Sequence, residues 1–300
     1  MLPFKLVYHD RYDLNLGSHV FPSRKYRLIR DRLLQEHFAE PGDFSEPESA
    51  CDADILRVHD SGWVERLKTG TLSVKELVKL EIPYSPEMVA GFWLATGGSI
   101  LAARNALRQR IGFNIGGGFH HAFPGHGEGF CAINDVAVAI RALQHDGSIE
   151  RALVVDLDVH HGNGTAAIFA GDRSVLTLSM HQFHNYPAEK PDSIIDIHLR
   201  DGVEDEEYLT RLNGALAVAL GFAPNLIFYL AGADPYREDQ LGGLSLTMEG
   251  LKQRDLMVFK TALAQNVPVA VVLSGGYARD TNDTVTIHCN TAKAAKEALL

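Results

Sequence analysis

The chain is poor in cysteine and has no block of basic residues, and both shortages exclude classes of protein. Its cysteines, Cys51, Cys131 and Cys289, are far apart and form no Cys-x-x-Cys pair, a pattern typical of a reduced, cytoplasmic protein rather than of a disulfide framework. Acidic residues outnumber basic ones by 38 to 28, and the net charge is −10. We therefore expect no direct nucleic-acid binding. The N-terminal MLPFKLVYHDRYD also lacks the apolar core of a signal peptide.

Residues 214–233, GALAVALGFAPNLIFYLAGA, carry no charge and are numerous enough to span a bilayer. The GFAPN interruption predicts instead a helix that ends near Leu220, a turn, and a buried strand over 226–230. We therefore expect no membrane segment.

Apolar strand candidates alternate with helical stretches along the chain. The strand candidates are KLVYH, GFNIGG, ALVVDLD, VLTLSM, LIFYLAG and VAVVLSGG. The helical stretches are SRKYRLIRDRLLQEHF, EMVAGFWLATGGSILAARNALRQ, AINDVAVAIRALQH, DEEYLTRLNGALAVAL and TMEGLKQRDLMVFKTALAQ. This alternation predicts an α/β fold with a mostly parallel central sheet and helices on both faces. Because no linker-like composition divides residues 1–300, we expect a single domain whose ligand site lies outside the carboxyl ends of the strands.

The stretch VVDLDVHHGNG places Asp156, Asp158 and His160 on alternate positions at the end of an apolar strand. Alternate side chains of a strand point to one face, so the two carboxylates share one environment. Unpaired charge at the end of a buried strand is costly, so a positive group is expected beside them.

Other strand candidates are also followed by chemically active residues. His120 and His121 follow GFNIGG, Asp234 follows LIFYLAG, and Tyr277 follows VAVVLSGG. Asp158, His160 and Asp234 together would form a three-ligand metal site with an open position, which is typical of catalytic zinc. Fe(II), Co(II) and Mn(II) accept the same oxygen and nitrogen ligands. Single aspartates after strands are usually turn or helix-cap residues, and Asp172 and Asp280 are interpreted so.

The histidine pair is a candidate base for such a site. Adjacent histidines in a glycine-rich loop, taken alone, are more often hydrogen-bonded turn residues. Beside a metal site, however, a water needs a base, and histidine is the usual one near neutral pH. Asp156 is then best suited to orient an imidazole. The Tyr277 hydroxyl could donate a hydrogen bond to a developing oxyanion.

Four motifs in one order resemble the zinc-dependent histone deacetylases: GGGFHHAFPGHGEGFCAIND, DLDVHHGNG, AGADPYREDQLGG and LSGGY. The similarity runs from residue 19 to residue 277. HVFPSRKY, HNYPAEK, EDEEYL and the asparagine of HHGNG are similar to the class IV branch in particular. The resemblance implies an arginase/deacetylase-type α/β fold and a single catalytic domain. It also implies zinc-dependent hydrolysis of an acetyl or longer acyl group from Nε-acyl-lysine.

The resemblance also implies a role for each matching residue. The zinc ligands would be Asp158, His160 and Asp234, in agreement with the choice from the residues alone. His120 would hydrogen-bond Asp156, and His121 would be the general base. Either His121 or His120 would be the acid that protonates the departing amine, and Tyr277 would be the oxyanion donor. The walls of the acyl-lysine tunnel would be Gly129, Phe130, Leu241 and Tyr186. A potassium ion would be held by the backbone carbonyls of Asp156, Asp158, His160 and Met180 and by the Ser179 side chain.

Two departures from the family pattern leave alternatives open. Asn163 stands where many relatives carry an aspartate behind the second histidine, which would change the pH optimum. EIPYSPE lacks the rim aspartate that grips a peptide backbone, so a small acyl-amine such as an acetyl-polyamine is an alternative substrate to a protein. A binuclear manganese ureohydrolase and a non-catalytic acyl-lysine-binding protein are further alternatives. Nothing in the sequence indicates an oligomeric state.

Overall fold

A computed structural model describes all residues from 1 to 300. It contains a single eight-stranded sheet in the order β2-β1-β3-β8-β7-β4-β5-β6, and every neighbouring pair is parallel. The strands are β1 (Leu6–Val7), β2 (Phe44–Ser45), β3 (Ile111–Asn114), β4 (Ala152–Asp156), β5 (Val175–Gln182), β6 (Ile195–Leu199), β7 (Leu226–Leu230) and β8 (Val269–Val272). The predicted α/β class and parallel sheet are confirmed.

Ten α-helices flank the sheet. They are α1 (Lys25–Gln35), α2 (Asp52–Ile55), α3 (Ser61–Thr69), α4 (Val74–Leu80), α5 (Pro86–Gln109), α6 (Asp135–His145), α7 (Asn163–Ile168), α8 (Asp205–Leu220), α9 (Met248–Ala264) and α10 (Thr281–Ala298). Helix α5 packs against β3, β8 and α6, whereas α8, α9, α10 and α1 pack on one another in succession. Both helical groups bury apolar side chains that belong to one continuous core.

Local sequence accounts for most of these elements. Strand β4 is buried along its whole length, and strands covered on both faces are written as continuous apolar runs. Helix α5 begins where Ser85 accepts a hydrogen bond from the Met88 amide, with Pro86 in the first turn. Asp280 caps α10 in the same way, and Asp172 accepts from the Ser174 amide in a turn. Both aspartates thus have the local roles predicted for them.

The charge-free segment divides as predicted, since α8 ends at Leu220 and β7 spans Leu226–Leu230. No helix combines the length and apolar character needed to cross a membrane. The sequence did not indicate β2, the edge strand β6 or helices α2, α3, α4, α7 and α10. Strand β6 was missed because its sequence, IDIHL, contains Asp196 and His198 and does not form a purely apolar run.

The strand order brings the chemically active loops together. Strands β3, β8, β7 and β4 are consecutive neighbours in the sheet. The carboxyl ends of parallel strands meet at one edge, which is where open α/β sheets bind ligands. The residues that follow these four strands therefore converge at this edge of the sheet, although His120 and Tyr277 are 157 positions apart in the sequence.

Candidate metal centre and active site

Three side chains converge where a metal was predicted. One ligand atom each from Asp158, His160 and Asp234 lies within 4.8 Å of the other two. His160 Nδ1 is 3.0 Å from Asp158 Oδ1 and 3.4 Å from Asp234 Oδ2. All three residues are buried. The sequence thus named a real cluster, which we call the central cluster.

The remaining carboxylate oxygens of the central cluster are held by the protein. Asp158 Oδ2 accepts hydrogen bonds from Ser274 Oγ at 2.7 Å and from the Gly275 amide at 2.8 Å. Asp234 Oδ1 accepts from the Val159 amide at 2.9 Å. Each aspartate therefore has one oxygen fixed and the other directed toward His160. This arrangement sets the ligand atoms in place before any ion binds.

The charge balance of the central cluster fits a bound cation. Asp234 Oδ2 is buried and has no hydrogen-bond partner. Burial and the adjacent Asp158 carboxylate raise the pKa of Asp234 to about 7. A Cβ at Gly275 would overlap Asp234 Oδ2, so the absence of a side chain at this position makes room for that oxygen. Two carboxylates and an imidazole form a donor set that zinc accepts. The residues present therefore fit the implied metal.

The histidine pair lies beside the central cluster. His120 Nδ1 is 2.7 Å from Asp156 Oδ2, and the two Nε2 atoms of His120 and His121 are 3.1 Å apart. Asp156 Oδ1 accepts from the Asp158 amide, so both oxygens of Asp156 are engaged. Burial lowers the pKa of His120, but the Asp156 and Asp158 carboxylates outweigh it and raise that pKa to about 9. Asp156 thus orients His120 and adds no further ligand to the cluster.

His121 is held in the tautomer that a general base requires. Its Nδ1 is 2.7 Å from Asn163 Oδ1, and Asn163 Nδ2 donates to Glu128 Oε1 at 2.7 Å. An ionised carboxylate only accepts, so Glu128 fixes which end of the Asn163 amide faces His121. His121 Nδ1 therefore carries the proton, and Nε2 is the unprotonated nitrogen, whose lone pair faces Nε2 of His120 at 3.1 Å. Burial and the nearby His120 and His160 rings hold the pKa of His121 well below its usual value.

Glu128 contacts this site, and the sequence analysis did not single it out. Burial would raise its pKa, but hydrogen bonds from His126, Lys79 and Asn163 outweigh burial and lower the pKa to about 2. The Lys79 ammonium lies 2.8 Å from Glu128 Oε2. Glu128 lies in GHGEGF, part of the first family motif. Its position as the one acidic residue of a glycine-rich loop was the only feature of the sequence that could have pointed to it. Where many relatives would place a carboxylate next to the His121 ring, this chain has Asn163, and the nearest carboxylate in this hydrogen-bonded chain, Glu128, contacts the ring only through Asn163.

A cavity of about 160 Å³ opens onto these groups. Its nine lining residues are Glu81, His121, Gly129, Phe130, His160, Asn185, Tyr186, Leu241 and Tyr277. All four predicted tunnel residues are among them, and Glu81 and Asn185 were not predicted. Glu81 belongs to EIPYSPE, so that segment does supply an acid to the cavity, although it lacks an aspartate at the rim.

Two residues set the shape of the cavity and its chemistry. Gly129 has a positive φ of 50°, and a Cβ there would lie 2.8 Å from the His121 ring and 2.9 Å from the Tyr186 ring. Only glycine leaves that space open. Burial raises the pKa of Tyr277 well above its usual value, so its hydroxyl remains a proton donor. The Tyr277 and His160 rings are 6.3 Å apart between centroids.

The proposed potassium ligands and one unpredicted lysine complete the surroundings. Ser179 lies opposite Asp156 in the β4–β5 register, and Met180 follows it. Lys25, within the quoted HVFPSRKY, is fully buried and donates to the Ser274 carbonyl at 2.8 Å. Its burial lowers its pKa to about 8, although the Asp234 and Asp158 carboxylates act in the opposite direction.

Comparison with known proteins identifies the family of the chain. The histone deacetylase domain model matches residues 19–292. An uncharacterised protein of Picosynechococcus sp. is 40% identical over 98% of this chain and 99% of its own. A probable deacetylase of Methanothermobacter thermautotrophicus is 34% identical over 91% of this chain and 85% of its own. Histone deacetylase 2 of Arabidopsis thaliana is 32% identical over 91% of this chain and 74% of its own.

A solved structure shares the whole architecture. The crystal structure of the HDA15 HD domain superposes with a TM-score of 0.83 at 25% identity and covers 97% of this chain and 90% of that one. The family match and the shared fold confirm the resemblance that the four motifs suggested. The chain belongs to the histone deacetylase family.

Proposed function

We propose that the chain is a zinc-dependent hydrolase that removes acetyl or longer acyl groups from Nε-acyl-lysine, with residues 1–300 acting as one catalytic domain. One observation carries the proposal. The unpartnered Asp234 Oδ2 converges with Asp158 and His160 beside a cavity that His121 and Tyr277 also line. Metal donors, a base and an oxyanion donor thus share one space, which is the constellation that hydrolysis of an amide requires.

Asp158, His160 and Asp234 would hold the metal. A zinc ion there would supply a Lewis acid for the amide carbonyl and would lower the pKa of a bound water. Fe(II) and Co(II) suit the same donors. A second ion at this site, as in a binuclear manganese ureohydrolase, is disfavoured because Asp156 is already engaged with His120 and the Asp158 amide.

His121 is the base in this proposal. Its Nε2 removes a proton from the attacking water, and the protonated ring then returns a proton to the departing amine. The overall reaction consumes one water and one amide and yields a carboxylate and a free amine. Asn163 and Glu128 are positioning residues, because they act on the substrate only by orienting the His121 ring.

Tyr277 is the oxyanion donor in this proposal. Its hydroxyl would donate to the oxygen of the tetrahedral intermediate, a contribution of about 3–4 kcal/mol for such donors. A protein that only binds acyl-lysine would need neither this hydroxyl nor the oriented base. The complete set of groups therefore favours catalysis over binding alone.

The cavity walls support a linear acyl-amine substrate. Phe130, Tyr186 and Leu241 offer apolar surface to an alkyl stem, as lysine would present. Glu81 adds a carboxylate that could accept hydrogen bonds from a peptide backbone or from a second amine. Acetyl-polyamines are therefore the second candidate substrates, and Glu81 is the observation that favours them.

Three finer expectations belong to the same proposal. A potassium ion would be bound by the backbone carbonyls of Asp156, Asp158, His160 and Met180 and by the Ser179 side chain. The class IV assignment rests on HVFPSRKY, HNYPAEK, EDEEYL and Asn163. All three cysteines are free, which supports a cytoplasmic location.

The test is turnover on a matched panel of acetyl-lysine peptides, longer acyl-lysine peptides and acetyl-polyamines. We expect hydrolysis that a chelator abolishes and zinc restores, with the Tyr277→Phe variant as a matched low-activity control. Binding of acyl-lysine without turnover would favour the non-catalytic alternative. Hydrolysis of a guanidino substrate with two equivalents of manganese would favour the ureohydrolase.

A further inference from the structure

A second group of metal-ligating side chains lies outside the active site. It consists of His161, His181 and Asp196, and we call it the edge cluster. One ligand atom from each residue lies within 4.8 Å of the other two. His161 follows β4, whereas His181 lies on β5 and Asp196 on the edge strand β6. Both imidazoles are fully buried, and the Asp196 side chain is 15% exposed.

The polar atoms of the edge cluster are incompletely satisfied. His161 Nε2 lies 3.3 Å from Asp196 Oδ1 and 3.4 Å from Ser193 Oγ, and Asp196 Oδ1 is buried without a well-formed hydrogen bond. His161 Nδ1 is also buried and unpartnered. Buried polar groups are nearly always paired. Because His161 Nδ1 points away from the Nε2 atom that faces Asp196, it is the unpartnered Asp196 Oδ1 that indicates a missing partner between these side chains.

His181 is oriented as metal-ligating histidines usually are. Its Nδ1 lies 2.9 Å from Ser179 Oγ, which fixes the ring and leaves Nε2 as the ligand atom. That Nε2 is 3.0 Å from Nδ1 of His198, an exposed histidine of β6. Two imidazole nitrogens facing each other at this distance suit either one hydrogen bond or two ligands of a shared ion.

We propose that the edge cluster is a second, structural site for one divalent zinc-like metal ion. The ligands are His161, His181 and Asp196, and His198 or water supplies the fourth position. Ligand atoms of tetrahedral zinc lie about 3.3 Å apart, given zinc–nitrogen bonds of about 2.0–2.1 Å. The His161–Asp196 distance of 3.3 Å already has that value. Small side-chain movements would bring His181 to the same separation.

The site would attach the edge of the sheet to its centre. Residues 183–194 connect β5 to β6 and carry Tyr186, a wall of the catalytic cavity. The far end of this connection is already held, because the Ser193 amide donates to Asp196 Oδ2 at 2.8 Å. A metal on Asp196 would therefore fix both β6 and the connection to the buried His161 and His181.

The experiment counts zinc in protein that has been stripped of metal, reloaded and dialysed in potassium buffer. We expect two equivalents per chain in the unaltered protein, one in Asp196→Asn, one in Asp234→Asn and none in the double variant. His184→Gln is the matched control, because His184 is an exposed neighbour outside the cluster and should leave the count at two. Circular dichroism confirms that each variant is folded.

A second readout covers the case in which Asp196→Asn does not fold. The Asp234→Asn protein retains the edge cluster alone, so zinc should raise its melting temperature by several degrees. No rise, or two equivalents retained in both Asp196→Asn and His181→Gln, would overturn the proposal. Failure of the proposed catalytic site would give a different result. The unaltered protein would then bind one equivalent of zinc, which the Asp234→Asn variant would still bind and the Asp196→Asn variant would not.

Discussion

The central cluster and the edge cluster begin on adjacent residues, yet their surroundings differ. His160 lines the cavity and meets Asp158 and Asp234. His161 instead meets His181 of β5 and Asp196 of the edge strand β6. Both clusters offer nitrogen and carboxylate ligands in a buried place. The central cluster opens onto a cavity that the proposed base His121 and the Tyr277 hydroxyl also line. The comparison teaches that metal donors alone do not make a catalytic site.

The two clusters also differ in charge. Two carboxylates share the central cluster, and their repulsion together with burial raises the pKa of Asp234. The edge cluster has one carboxylate between two imidazoles. A catalytic ion with two anionic ligands and an open position can exchange water for substrate, whereas a closed site holds structure. Variants of the two clusters should therefore separate a catalytic role from a structural one.

The largest effect is expected from Asp234→Asn. Loss of an anionic ligand should remove the central metal and with it several kcal/mol of transition-state stabilisation, about a thousandfold or more in kcat/KM. The matched change Asp196→Asn in the edge cluster should lower kcat/KM by less than about tenfold, since it touches no reacting group. Similar losses in the two variants would erase the distinction between the clusters.

Tyr277→Phe should lower kcat by roughly a hundredfold or more, as lost oxyanion donors do. The zinc content and KM should change little, because the ring remains in place and the hydroxyl is not a proposed ligand. Steady-state kinetics with metal analysis of the same preparation checks this. Unchanged turnover would remove Tyr277 from the mechanism.

The contact between Glu128 and Asn163 leads to a prediction about the pH dependence of kcat/KM. Asn163→Asp alone would set two carboxylates side by side, and one should retain a proton, so the acid limb of kcat/KM should move little. Asn163→Asp combined with Glu128→Gln leaves one negative charge beside His121. That charge stabilises the protonated ring and raises its pKa, so the acid limb should move up by about one pH unit relative to Glu128→Gln alone.

Profiles from pH 5 to 9 at matched zinc content test this pair. An unmoved limb in the double variant would mean that His121 is not the base.

The smallest effect is expected from Glu81→Gln. If the Glu81 carboxylate binds a second amine, KM for acetyl-polyamines should rise by roughly fivefold, as one exposed charge contact is worth about 1 kcal/mol. KM for a neutral acetyl-lysine peptide should change less, because glutamine still accepts a hydrogen bond. Equal changes for both substrates would remove the case for polyamines.

Much of the central cluster was predictable from the sequence because its signals are local. The apolar strand β4 ends at Asp156, earlier than the alternating pattern predicted, so Asp158 and His160 lie in the bend that follows it, and Asp234 and Tyr277 each follow another strand. The parallel sheet then brings these strand ends together. The resemblance to a known family identified the same residues and added the tunnel walls.

The missed features depend on contacts between loops. Glu128 meets Asn163 across 35 positions, and nothing in the GHGEGF motif indicates that partner. Asp196 lies on an edge strand whose polar residues hide its strand character. The edge cluster therefore cannot be recognised without the strand order, which places β4, β5 and β6 next to one another. Glu81 reaches the cavity from the end of α4, where no periodicity indicates an active-site position.

The central claim is that one metal ion, bound by Asp158, His160 and Asp234, makes this protein a hydrolase. Zinc titration of metal-free Asp196→Asn protein, followed by deacetylation rate, tests it most directly because the edge cluster is then disabled. We expect no activity without metal, a linear rise with added zinc, and saturation at one equivalent per chain. Full activity in the metal-free protein, or saturation only at two equivalents, would contradict it.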